Sequence, residues 1–239
     1  MNLLLLHQHD HWLDQDTVVI RDQRAEHIRS VLRASPGQTL RVGRVNGLKG
    51  IGTIEAMDAN GVVLQVSLAE PALARHRFDI VLALPRPKML RRILRTVAEF
   101  GVANLHLINT ARVEKSFWQT PLLQPSKLSE ALQAGMERAC DTVQPQVHLH
   151  KRFRPFVEDQ LPGLCGERSC WITEMGASVA LSQTPPHQAM VMIGPEGGFI
   201  PFEIDLATSV VAQPVHLGER ILSVDTALTT ALAQGLPVQ

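Results

Sequence analysis

The chain reads as an α/β protein in two parts, a small β-rich unit over residues 1–72 and a parallel-sheet domain over residues 73–239. Three observations carry this reading. Short β-branched runs broken by Asn-Gly turns fill the front of the chain. From about residue 78, apolar strand-like runs alternate with helical periods, the signature of strands joined by crossover helices. Two glycine turns follow apolar runs near the C-terminus, where open α/β sheets place their binding loops.

A length of 239 residues suits one large domain or two modest ones, and 45% hydrophobic with 19% charged residues exclude disorder, collagen and coiled coil. Cys140, Cys165 and Cys170 leave an odd thiol and form no CxxC pair, which points to a reducing, cytoplasmic setting. The Leu3 to Leu6 run is too short to span a membrane and reads as a buried strand; no membrane association is expected. The net charge of zero hides a division, because residues 1–154 carry 21 Lys/Arg against 14 Asp/Glu and residues 155–239 carry 2 against 9. A basic front suits a polyanion, whose counterions are released as cations neutralise phosphates.

In chain order, Ala25 to Ala34 places Ile28, Val31 and Leu32 on one helical face and is stopped by Pro36-Gly37. Strands follow at Thr39 to Val45, Ile51 to Ala56 and Val62 to Leu68, and Arg24, Arg29 and Arg33 belong to the basic surface of this unit. Glu70 to Arg77 reads as a linker. Strands are then expected at Asp79 to Leu84, Asn104 to Ile108, Ser169 to Thr173, Ala189 to Ile193 and Val215 to Leu217. Helices are expected at Lys88 to Phe100, Lys127 to Cys140, Pro201 to Ser209 and Val224 to Gln234. Ala111 to Pro125 reads as a loop on the binding face.

Leu90, Ile93, Leu94 and Val97 share one face of the helix after Pro87, while Lys88, Arg91, Arg92 and Arg95 fall within an arc of roughly 100° opposite. With Arg86 just before it, this face can lie along a phosphate backbone; a solvated surface face is the plainer alternative. Ile193 to Phe199 (IGPEGGF) is a strand-to-helix loop whose glycines allow a ligand to approach bare backbone. It is not a dinucleotide fingerprint, and Glu196 would repel a pyrophosphate, so an adenosine or a cationic group suits it better. Val215 to Ala227 runs from a strand through the Gly218 turn into the last helix, and two such turns at adjacent strand ends can form a slot for a flat base. Ser223 or Asp225 could equally be a helix cap. His7, His9 and His11 alternate along a strand but lack a supporting ligand framework, and no metal is assigned. Phe117 and Trp118 could stack on a base or pack on their own domain.

The two C-terminal segments, Ile193 to Phe199 and Leu217 to Leu222, resemble the paired IGPEGGF and LGxRIL motifs of the RsmE family, RNA methyltransferases of the SPOUT superfamily. Lys88 with Glu99-Phe100-Gly101-Val102 looks like that family's K…ELGV helix. His27-Ile28, Val31-Leu32-Arg33 and Pro36-Gly37 are similar to its H-x-x-VLR-x-x-PG segment.

This resemblance implies a SPOUT-type parallel sheet with a C-terminal trefoil knot, preceded by a small PUA-like β-barrel domain that binds RNA. It implies a homodimer through the knot region, with S-adenosyl-L-methionine as cofactor. Methyl transfer to uridine N3 of 16S ribosomal RNA, free or in the small ribosomal subunit, is the implied reaction. By position, Thr173, Gly194, Glu196, Gly198, Leu217, Gly218, Arg220, Ile221 and Leu222 should line the cofactor pocket. Arg220 is the candidate for stabilising developing negative charge, and Asp225 for positioning or accepting the N3 proton.

The chain departs from the family in three places. Ser223-Val224-Asp225-Thr226-Ala227 stands where RTETA is usual, Glu137 to Thr142 replaces an E-Q-S/A-G-R segment, and Ile200 occupies a usual Ser/Thr cap. An RNA-binding relative with altered catalysis, or a methyltransferase with a different RNA target, is the alternative these changes favour. A nucleotide enzyme on an ordinary α/β sheet would need phosphate-binding chemistry that the chain lacks.

Overall fold

Alternating apolar residues build the first of two sheets in a computed structural model that describes residues 2–236. Its strands are β1 (Leu4–Leu6), β2 (His11–Trp12), β3 (Thr17–Ile20), β4 (Thr39–Arg44), β5 (Lys49–Asp58) and β6 (Gly61–Glu70), in the order β1-β4-β5-β6-β3-β2. β1 lies parallel to β4 and the other pairings are antiparallel. Leu4, Leu6, Val18, Ile20, Val42, Ile54, Val62 and Leu64 supply its buried face.

The expected helix over Ala25 to Ala34 is instead a short turn, α1 (Gln23–Glu26), running into a π-helix at His27–Val31. The Leu32 N–H reaches back five residues to the His27 carbonyl at 3.0 Å. That wider winding keeps Ala25 and Ile28 in the core but turns Val31 and Leu32 outward, 64% and 39% exposed.

The second sheet carries the functional half. β7 (Phe78–Ala83), β8 (Asn104–Ile108), β9 (Gln146–His150), β10 (Ser169–Thr173), β11 (Ala189–Ile193) and β12 (Ala212–Val215) lie in the order β12-β10-β11-β7-β8-β9. All five pairings are parallel. Helices are α2 (Pro87–Glu99), α3 (Pro125–Ala139), the short α4 (Phe153–Pro155) and α5 (Leu161–Cys165), then α6 (Pro201–Val210) and α7 (Val224–Gln234). Continuously buried strands such as β7 and β11 are what a parallel sheet covered on both faces requires. The apolar stripe of α2 is buried as its period demands.

The last strand ends at Val215, short of the expected Leu217, and His216 keeps a single bridge to Ala180. β9 and the α4–α5 segment were not legible. Gln146–His150 puts histidines on one strand face, and Pro155, Pro162 and Gly163 mask the helical period of Phe153, Phe156, Val157 and Leu161. The chain forms two compact units, Met1–Ala74 with Gln133–Gln144 and Arg75–Leu132 with Pro145–Gln239.

Two local features yield measurable consequences. α3 ends with Cys140 at φ +56°, the left-handed position that favours glycine, and the Asp141 N–H bonds the Met136 carbonyl at 3.0 Å as in a Schellman cap. Cys140→Gly should therefore raise stability by about 1 kcal/mol in urea unfolding, having removed a Cβ from a strained backbone. Second, His106 is buried against His148 and His150, with ring centroids 4.5 and 5.3 Å away and its Nδ1 3.1 Å from Nε2 of His150.

Burial, with the neighbouring imidazoles adding to it, pushes the His106 pKa down from 6.5 to about 4. The unfolded chain thus binds the extra proton first, so this contribution is intact above pH 6.5 and is lost as pH falls towards 4. The loss is on the order of 3 kcal/mol. Urea midpoints measured across that window should fall steeply for the native chain and less steeply for His106→Phe.

Candidate functional site

Parallel pairing of β10 with both β11 and β12 brings three strand ends to one edge of the sheet. The segments leaving those ends, 174–176, 194–199 and 217–222, surround a cavity of about 640 Å³. Thr173 sits where β10 enters it and anchors its hydroxyl on the Met192 carbonyl at 3.0 Å. Gly194 must be small, because a Cβ there would lie 3.0 Å from the Phe199 nitrogen. Gly198 and Gly218 adopt φ of +73° and +132°, so both turns expose bare backbone. The Gly218 N–H is held by Nδ1 of His216 at 3.2 Å.

Every pocket residue expected from the sequence lies on this cavity: Thr173, Gly194, Glu196, Gly198, Leu217, Gly218, Arg220, Ile221 and Leu222. Sequence reasoning missed Glu174-Met175-Gly176, although a third glycine turn after a strand was the available signal. Ile204, Asp205, Val224 and Ala227 also line it, and helical spacing from α6 and α7 supplies them. Glu174, Glu196 and Asp205 line this space together with Arg220. Such a lining favours an uncharged or cationic occupant with an apolar body.

Two further residues shape the glycine loop. Glu203 is 3% exposed, and its carboxylate accepts the N–H of Ala111 at 2.7 Å and of Ile200 at 3.0 Å. It closes the α6 N-terminus from inside, which is why Ile200 can stand at the cap without a hydroxyl. Arg112 donates to the Gly197 carbonyl from the segment after β8. Trp118 packs down on its own loop, its Nε1–H donating to Asn109 Oδ1 at 2.8 Å.

Asp225 stands just outside the cavity on the first turn of α7. It accepts the Ser223 hydroxyl at 2.6 Å and pairs with Arg92 at 3.2 Å. The Ser223 hydroxyl, and after it the Arg92 guanidinium, hold its carboxyl below the ordinary range against the opposing effect of burial.

The expected RNA-facing cations divide. Arg86, Lys88, Arg91 and Arg92 are exposed along α2, and Arg95 is half-buried. Arg33 is exposed in the first unit. Arg24 departs from expectation, because its guanidinium is locked between Asp10 and Asp22 and donates to the Leu5 carbonyl at 2.6 Å. Arg29 is likewise engaged, with the Asp58 carbonyl at 2.7 Å and Glu26 at 3.1 Å. Among the described residues no group of three or more His, Cys, Asp or Glu could hold a metal ion, and no helix is long and apolar enough to cross a membrane. His7 and His9 stack at 5.0 Å.

Fold and cavity define the class, an open parallel α/β protein that binds a small molecule beyond the carboxyl ends of its strands. The RNA methyltransferase domain family matches residues 73–235. The ribosomal RNA small subunit methyltransferase E of Treponema pallidum (strain Nichols) is 28% identical over 242 residues, covering 98% of this chain and 90% of that protein. The protein of the same name from Synechocystis sp. (strain ATCC 27184 / PCC 6803 / Kazusa) is 30% identical over 230 residues, covering 91% and 72%. Among solved structures, a ribosomal RNA small subunit methyltransferase E from Neisseria gonorrhoeae, bound to S-adenosyl methionine, superposes with TM-score 0.76 at 19% identity over 98% of this chain and 95% of that one. The chain belongs to the RsmE family of RNA methyltransferases.

The Glu203 carboxylate joins two loops that border this site, and replacing one of its acceptor oxygens by an amide would turn a donor towards a backbone N–H. Glu203→Gln should lower stability by about 1–3 kcal/mol in thermal or urea unfolding, whereas Glu158→Gln, at an exposed side chain between α4 and α5, should change it by less than about 0.5 kcal/mol.

Proposed function

We propose that this protein is an S-adenosyl-L-methionine-dependent methyltransferase that modifies N3 of a uridine in 16S ribosomal RNA. The observation that carries the reading is the convergence of both glycine turns on one cavity lined by acidic and apolar side chains. The residues fit the cofactor. Bare backbone at Gly194, Gly198 and Gly218 leaves room for a flat adenine edge, Ile204, Leu222 and Ala227 offer apolar contact, and Glu174, Glu196 and Asp205 suit a sulfonium's positive charge.

The bound cofactor supplies an already activated methyl group, so the protein's task is to orient the acceptor and manage one proton. As the new nitrogen–carbon bond forms, N3 gives up its proton and the base carries developing negative charge. Arg220, on the cavity wall and exposed, is the group we assign to that charge. Asp225, ionised and beside the cavity, is assigned to orienting or accepting the N3 proton.

In this reading residues 1–72 form a PUA-like RNA-binding domain and residues 73–239 a SPOUT domain with a C-terminal trefoil knot. The bond from the Leu181 N–H to the His216 carbonyl, and from the His216 N–H to the Val179 carbonyl, supports a chain threaded beneath the loop after β10. A homodimer through this region is favoured by apolar side chains left open at the cavity rim, Ile221 at 80% and Met175 at 59% exposed. Arg33, Arg86, Lys88, Arg91 and Arg95 would meet phosphates, in a cytoplasmic encounter with ribosomal RNA or the small subunit.

Calorimetry with S-adenosylmethionine should give one site per chain. Gly194→Val should weaken it by at least about tenfold without unfolding the protein, since its extra carbons meet the Gly198–Phe199 backbone. The native chain, sedimenting as a dimer, should transfer labelled methyl to unmodified 16S ribosomal RNA, with the label mapping to uridine N3. Cofactor binding without incorporation into any RNA would instead favour a non-catalytic RNA-binding relative.

A further inference from the structure

The cations of α2 are not equivalent. Arg91 turns to Glu130 on α3 at 3.2 Å, while Arg86 and Arg92 each meet a carboxylate at the cavity rim. Arg86 lies 3.6 Å from Glu196, which lines the cavity. Arg92 lies 3.2 Å from Asp225, whose neighbour Val224 lines the cavity. The start of α2 therefore lies beside the cavity without lining it.

The Arg92–Asp225 pair is asymmetric, with side-chain exposures of 72% and 11%. Asp225 has one oxygen on the Ser223 hydroxyl at 2.6 Å and the other on Arg92, and Ser223 also meets the Thr226 hydroxyl at 2.9 Å. A carboxylate so held has one orientation. A guanidinium has five N–H donors, so one contact to Asp225 leaves Arg92 able to donate towards a planar carbonyl edge beside the same carboxylate. A cation serving only phosphates gains nothing from being drawn to a mostly buried carboxylate.

We propose that Arg92 is a positioning residue for methyl transfer, holding the Asp225 carboxylate aimed at the acceptor base, and is not one of the phosphate contacts of α2. This rests on the methyltransferase reading above. Arg92 is the charged group acting on Asp225, together with the Ser223 hydroxyl and the Thr226 N–H. Removing the guanidinium should therefore move the acid limb of the rate profile to higher pH, because the rate is lost as Asp225 takes up a proton.

The test is steady-state transfer to unmodified 16S ribosomal RNA by full-length Arg92→Ala and Arg92→Lys, with RNA binding measured across a salt series. Arg92→Ala should lower kcat by about tenfold or more, leave the KM for RNA within about twofold, keep the salt slope, and shift the acid limb upward; Arg92→Lys should restore part of kcat. A raised KM with unchanged kcat and a salt slope smaller by about one would make Arg92 a phosphate contact and overturn the proposal. Unchanged kcat and KM would overturn it too.

A carbon-13 NMR titration of Asp225 reads the link without turnover. Its pKa should rise in Arg92→Ala, and a pKa equal to that of the native chain sinks the proposal. A native chain that methylates no RNA would remove the methyltransferase reading itself, while the titration would still judge whether Arg92 controls Asp225.

Discussion

The position of β10 between β11 and β12 is the constraint on which the site depends. Parallel pairing on both sides forces three carboxyl ends to one edge, so the loops that follow must share the same space. Each loop is then shaped by a local demand: no side chain at Gly194, positive φ at Gly198 and Gly218, and a hydroxyl on Thr173 to anchor the end of β10. The cavity is what remains when three chain segments turn away from adjacent strand ends with too few side chains to fill the gap.

A buried carboxylate steadies this arrangement. Glu203 lies inside the fold yet accepts two backbone N–H groups, one from the segment after β8 and one from the α6 entrance. Without those donors a 3% exposed carboxylate would be costly; with them it joins two loops that share no strand contact. Arg112 reaches the same glycine loop from the β8 side. The rim is therefore held from the sheet below and from a neighbouring loop, while its inner surface stays bare backbone.

The parallel half was largely legible because most of its strands centre on apolar residues, β11 without a break, and α2 repeats Leu90, Ile93, Leu94 and Val97 on one face. The pocket residues were legible through the family resemblance that the two glycine motifs carry, Thr173 being the one that lies outside both motifs. Elements with mixed signals were not. β9 carries His148 and His150 on the face that packs His106, so burial there is polar and leaves no hydrophobic alternation to read. The π-helix at His27–Val31 shows the opposite failure, since a correct helical period still misplaced Val31 and Leu32 once the winding widened. Arg24 looked like a surface cation in sequence, and only three-dimensional proximity to Asp10 reveals it as an internal clamp.

The division of charge along the chain changes meaning once folded. Read linearly, a basic front and an acidic back suggest two bodies with separate tasks. In the fold the boundary runs through a single unit, because α2 packs on α7 and carries its cations to the loops that hold the acidic residues. Arg86 and Arg92, themselves 66% and 72% exposed, meet Glu196 and Asp225 there, so the basic surface reaches the edge of the cavity. What separates the two pairs is the acidic partner, 39% exposed at Glu196 and 11% exposed at Asp225, rather than the place of each arginine in the sequence.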